Sequence, residues 1–168
     1  MTVKKQFWDS CVFIYILSKF KDHQHEYRQR QEICKNCLQE AIDGKVEIYI
    51  STMTIVEVNK TSEATSPIPQ EIRDKITNLI NQPFVKVIPA DLARAEEGRQ
   101  HIWDYSWLQP VDAVHLSCAL HAEVEQLFTY DGKGEKKGLL DLDGLVGNPL
   151  LKIVWPYVEG VQTKLVES

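Results

Sequence analysis

Apolar and polar residues follow two periods along this chain. Short runs rich in β-branched and aromatic residues, at Val3–Trp8, Val46–Ile50, Phe84–Ile88, Gln126–Tyr130 and Lys152–Trp155, read as strands. Between them, Ser10–Ser18, Glu26–Gly44, Thr52 to Lys60, Gln70–Asn81, Asp91–Tyr105 and Pro110–Val124 read as helices. In the second of these Ile33, Cys37, Leu38, Ala41 and Ile42 share one face, and Gly44 terminates it. Pro110 opens the last helix. Residues 61–69, small, polar and proline-rich, read as a loop. Strands separated by helices predict a parallel sheet of four or five strands covered on both faces, a three-layer α/β/α sandwich.

The 168 residues suit one domain, expected at 1–157, with a C-terminal tail at 158–168. A net charge of -5 gives no general basic footprint, which argues against a protein that coats nucleic acid. It leaves room for a nuclease, whose acids a bound metal neutralises. Four cysteines, two of them (Cys11 and Cys118) inside apolar runs, do not make a disulfide framework. Lys4 and Lys5 precede the apolar run Cys11–Leu17, but Asp9 intervenes and no small-residue cleavage site follows. The run is too short to span a bilayer, so a cytoplasmic protein without a membrane partner is expected.

The most informative chemistry is four acids at the ends of four apolar segments: Asp9, Glu57, Asp112 and Asp131. Asp9 and Asp131 close strands, Glu57 lies one to two helical turns beyond another, and Asp112 begins a helix. In an open parallel sheet functional groups collect beyond the carboxyl ends of the strands, so all four are placed to converge on one edge. Buried unpaired charge is costly, and clustered carboxylates call for a hard divalent cation, Mg²⁺ or Mn²⁺ rather than Zn²⁺. Singly, each acid has an ordinary reading as well: Asp9 and Asp112 suit helix N-termini, and Glu57 an exposed helical face.

The segments Ser51-x-x-Thr54-x-x-Glu57, Pro110-x-Asp112-Ala113-Val114-His115-Leu116 and Thr129-x-Asp131, with Asp9-Ser10 near the start, resemble the motifs of PIN domains in order and spacing. The resemblance runs from Phe7 to Trp155 and extends to the VapC-like toxin group. It implies a PIN-like sandwich and a metal-dependent endoribonuclease. Asp9, Glu57, Asp112 and Asp131 would hold Mg²⁺ or Mn²⁺, with Ser10 and Thr129 orienting these acids. Water would be the nucleophile, leaving 5′-phosphate and 3′-hydroxyl ends. The resemblance also implies a homodimer and, for a toxin, an antitoxin that blocks the acidic site. The alternative is a PIN-like module that binds RNA or protein without cleavage.

Other patterns compete less well. Leu139 to Leu145 mimics the nucleophile motif of haloacid-dehalogenase-like phosphatases but lacks the downstream parts, and reads instead as a short surface helix packed by its leucines. Cys34 and Cys37 have the spacing of half a zinc site, yet both sit on an apolar stripe and suit core packing. His23 and His25 read as a solvated loop, and His115 as a packed or hydrogen-bonded histidine. The loop Gly132–Gly138 is not a P-loop. Its Lys133, Lys136 and Lys137 are candidates for RNA contact, equally well read as solvated, and Glu135 is a candidate auxiliary ligand. Arg28, Arg30 and Lys35 are a weaker basic candidate on the second helix.

Overall fold

The structure, a computed structural model, describes residues 3–21, 23–61 and 66–160. Its elements run β1 (Lys4–Trp8), α1 (Ser10–Leu17), α2 (His25–Ile42), β2 (Val46–Ser51), α3 (Thr52–Glu57), α4 (Gln70–Ile80), β3 (Val85–Ile88), α5 (Leu92–Asp104), α6 (Pro110–His121), β4 (Gln126–Phe128), a 3₁₀ turn (Leu139–Leu142) and β5 (Lys152–Val154). The five strands form one all-parallel sheet in the order β3-β2-β1-β4-β5. The α/β/α sandwich expected from the alternation is therefore the observed fold.

Because side chains alternate across a strand, neighbouring residues feed opposite layers. Trp8 and Phe128 pack with Val12, Phe13, Ile33 and Cys34 under α1 and α2. Phe7 and Leu127 pack with Leu116 of α6 and Leu139 of the 3₁₀ turn. The leucines of that turn are fully buried rather than superficial. Asp141 within it and Asp143 just after it serve the backbone: Asp141 accepts from the amides of Lys133 and Gly138, each at 2.9 Å, and Asp143 from that of Ile153 at 2.8 Å.

The central strand β1 is polar in its first half, and each polar group there is matched. Lys4 pairs with Glu159 at 2.6 Å, Lys5 lies over the Tyr49 ring, and Gln6 accepts from the Trp8 indole at 3.1 Å. β4 stops at Phe128, earlier than the apolar run, because the Tyr130 amide turns from the ladder to Cys11 Sγ at 3.4 Å. α2 ends where Gly44 takes φ +75°, a conformation that costs glycine little.

Of the expected loop, residues 62–65 lie outside the described residues, as do residues 161–168 of the expected tail. Val158 still packs against the core. Among the described residues no helix is long and apolar enough to cross a membrane.

Candidate active site

Asp9 follows β1 directly and caps α1, accepting the Ser10 amide at 2.7 Å. Its own amide still donates to Phe128 at 3.0 Å, so the carboxylate stands at the junction of β1 and β4. Across that junction Thr129 Oγ1 donates to Asp9 Oδ2 at 2.7 Å and accepts the Asp131 amide at 3.0 Å. One hydroxyl thus ties two of the four acids. The Ser10 hydroxyl donates to Asp9 Oδ1 at 3.3 Å and also supports Glu57.

Glu57 ends α3, whose start is capped by Ser51. Asp112 lies in the first turn of α6, behind Pro110. Gly98 of α5 lets that helix approach closely: a Cβ there would stand 3.3 Å from the Ala113 carbonyl. Asp131 is more exposed, and its Oδ2 accepts the Leu139 amide at 3.2 Å.

The four acids share one electrostatic environment. Burial first, then the charges of Asp9 and Asp131, and also that of Glu57, push the Asp112 carboxyl up to about 7 against the pull of His115. Asp131 is raised by burial and by Asp9 and Asp141, despite the Leu139 amide. Mutual repulsion of this kind is what a bound cation relieves.

His115, expected as a packed or hydrogen-bonded histidine, is both, and it sits among the acids. His115 is fully buried, with Nε2 2.7 Å from Glu57 Oε2 and 3.8 Å from Asp9 Oδ1. Its Nδ1 lies 2.9 Å from Ser51 Oγ. Burial works against its charge, but Glu57, Asp9 and Asp112 raise its pKa on balance. Burial pushes Glu57 up, and the hydrogen bond and charge of His115, with the Ser10 hydroxyl, more than offset it. Two signals pointed to His115: it lies one helical turn after Asp112, and Ser51 and Glu57 open and close one motif.

Donor atoms of Asp9, Glu57 and His115 all lie within 4.8 Å of one another. This set, with Asp112 coupled to all three, fits a hard divalent ion: oxygen donors predominate, carry excess negative charge and are held by fixed hydroxyls. Thr54 Oγ1, one turn before Glu57, is buried and has no hydrogen-bond partner among the described residues.

The other candidates separate. Lys133, Lys136 and Lys137 occupy an exposed loop after Asp131, with Lys137 Nζ 5.6 Å from the Trp107 ring centroid. Glu135 is exposed in the same loop. Cys34 and Cys37 are core residues, and burial pushes the Cys34 thiol up to about 12.

The all-parallel sandwich carries a cluster of acids near the carboxyl ends of its strands. The chain belongs to the PIN domain family, whose model matches residues 7–138. Among solved structures it is similar to VapBC2 from Rickettsia felis bound to a DNA fragment from the promoter. That similarity has 14% identity and a TM-score of 0.49 over 76% of this chain and 88% of that one. No curated protein matches the chain.

Proposed function

We propose that this PIN domain is a Mg²⁺- or Mn²⁺-dependent endoribonuclease whose metal is held by Asp9, Glu57, Asp112 and Asp131. The observation that supports this reading is the convergence of donor atoms of Asp9, Glu57 and His115 within 4.8 Å of one another. Asp112 is coupled to all three by charge, and burial with the neighbouring acids pushes its carboxyl up to about 7. A bound divalent ion supplies an activated water and stabilises charge on the phosphodiester.

The chain's own residues do the positioning. Ser10 and Thr129 fix the Asp9 oxygens, and Thr129 also holds the Asp131 backbone. His115 orients Glu57 and balances part of the negative charge. Lys133, Lys136 and Lys137, beside Asp131, meet substrate phosphates, so replacing all three with Ala flattens the salt dependence of RNA binding.

The motif resemblance further supports a cytoplasmic toxin acting as a homodimer, with a partner antitoxin covering the acids. The decisive experiment incubates the protein with single-stranded and structured RNAs in Mn²⁺, with EDTA and Asp112→Asn as controls. Losing a carboxylate that holds the ion lowers the rate by several orders of magnitude. Cleavage that persists in both controls defeats the reading. Intact metal and RNA binding with no cleavage of any RNA would transfer the site to a regulatory module.

A further inference from the structure

Helix α3 buries the wrong kind of residue. Its sequence offers Ile55 and Val56 for the interior, yet these are 46% and 64% exposed, and the residue it buries fully is Thr54. Burying a hydroxyl in place of an aliphatic group costs free energy unless that hydroxyl is hydrogen-bonded. A helical threonine commonly meets this need by turning Oγ1 to a carbonyl of the preceding turn. Thr54 does not. Its Oγ1 has no hydrogen-bond partner among the described residues, and no other buried side-chain nitrogen or oxygen among them is left so.

The neighbours of Thr54 along this face belong to the acidic site. Ser51, the cap of α3, lies one turn before it and Glu57 one turn after, the spacing that places side chains on one face. Both reach the same imidazole on α6: Ser51 Oγ is 2.9 Å from His115 Nδ1, and Glu57 Oε2 is 2.7 Å from Nε2. Thr54 therefore stands between two residues anchored to one ring, on the side of α3 that meets α6. The outer two are satisfied by the protein and the middle one is not. Packing gives no reason for this choice. Valine has nearly the same shape and helix propensity, and would fill the space without an unmade hydrogen bond. A partner that arrives with the ion does give a reason. Mg²⁺ and Mn²⁺ held by carboxylates keep part of their water, and fixed polar groups around such an ion orient its ligands.

We infer that Thr54 is a positioning residue of the metal site, its hydroxyl hydrogen-bonding a water of the ion's hydration shell beside Glu57. The inference rests on the proposed binding of a divalent ion by the four acids and adds an uncharged group to that site.

The test takes two measurements on the full chain: the melting temperature in EDTA, and the Kd for Mn²⁺ by isothermal titration calorimetry. Thr54→Val removes the hydroxyl and little else. In EDTA it should raise the melting temperature by roughly 2–8 °C, because an unpaired buried polar group is gone. Its Mn²⁺ binding should weaken roughly tenfold or more, the usual effect of removing a group that orients a metal's ligands. Thr54→Ser keeps the hydroxyl and should restore most of the affinity. A threonine with a purely structural role does not move the two readouts in opposite directions. If circular dichroism shows the valine variant misfolded, Thr54→Ala, which also lacks the hydroxyl, carries the affinity comparison.

Wild-type Mn²⁺ affinity in the folded valine or alanine variant would overturn the inference and leave the four-acid site standing. A valine variant less stable than the wild type in EDTA would also overturn it, since the hydroxyl would then already be bonded within the protein. Failure of the serine variant to recover affinity would assign the effect to packing. A wild type that binds no Mn²⁺ would remove the metal site itself, and the role of Thr54 with it.

Discussion

His115 Nε2 lies 2.7 Å from Glu57 Oε2, so a buried imidazole is hydrogen-bonded within a cluster of carboxylates that favour its charged form. Two consequences follow from this pairing.

The first is a pH dependence. The pKa of His115 is raised, so its stabilising charge is fully present below its unfolded value and lost as pH rises through the folded one. Asp112 acts in the same direction. An unfolded aspartate ionises near about 3.9, whereas the folded carboxyl is held up to about 7, so stability falls across that interval as the unfolded chain releases its proton first. Glu57, lowered, opposes this only below its ordinary range. Without metal, the melting temperature is expected to fall between about pH 5.5 and about pH 8. Mn²⁺ should restore more of it at the higher pH, because the ion needs the ionised carboxylates. Melting curves at both pH values, with and without Mn²⁺, check this. A flat profile with equal metal shifts would contradict it.

The second separates counter-ion from metal ligand. His115→Ala leaves Glu57 and Ser51 without their shared partner and opens a cavity beside Phe7, whose ring centroid is 5.8 Å away. The loss is about 2–4 kcal/mol, or roughly 4–16 °C in melting temperature for a chain of this size. If His115 balances the acids, the variant should gain more stability from Mn²⁺ than the wild type does. If His115 binds the ion directly, the gain should shrink. Thermal shift titrations of both proteins distinguish the outcomes.

The legible and hidden parts of the site differ in how far apart in sequence their partners lie. Asp9 and Asp131 were legible because a strand end is visible as a break in hydrophobic pattern, and parallel strands share one functional edge. Asp112 was legible from the proline at the start of its helix. His115 was legible as a packed or hydrogen-bonded histidine but its partners were not, because Ser51 and Glu57 lie 64 and 58 residues away. Within its own helix it is one polar residue in an apolar run. The ring cluster around Arg30 was hidden likewise: Arg30 meets residues from α1 and from beyond β4 and β5, and only the folded sheet brings them together. The strands of the sheet, by contrast, were set by local composition and erred only at their ends.

Asp131 offers a steric test. A Cβ on Gly138 would stand 2.1 Å from Asp131 Oδ2 and 2.7 Å from the Asp131 carbonyl carbon. The backbone at Gly138 has φ −151°, which any residue adopts, so the conflict is one of space alone. Gly138→Ala should therefore displace the Asp131 carboxylate and break its bond from the Leu139 amide while leaving the sheet intact. Circular dichroism should be unchanged, and the Mn²⁺-induced rise in melting temperature should fall by half or more, about the effect of losing one carboxylate ligand. A variant with the full metal response would show that Asp131 lies outside the metal site.

The last prediction concerns the ends of the cleaved RNA. A 2′,3′-cyclic product requires a base that takes the proton from the 2′-hydroxyl, within hydrogen-bond reach of it. Among the described residues the imidazole near these acids is His115, and both its nitrogens are engaged, with Ser51 and Glu57, beneath the surface. A carboxylate can also take a 2′-hydroxyl proton, but carboxylates that hold a divalent ion suit an ion-activated water attacking phosphorus directly. Cleavage should therefore leave 5′-phosphate and 3′-hydroxyl ends, and replacing the scissile 2′-hydroxyl by hydrogen should still permit it. Products would be end-labelled directly and after phosphatase treatment: a 5′-phosphate blocks kinase labelling until it is removed. Products that label without phosphatase, carry a cyclic phosphate and vanish with the 2′-deoxy substrate would assign the attack to the RNA itself and leave the carboxylates a binding role.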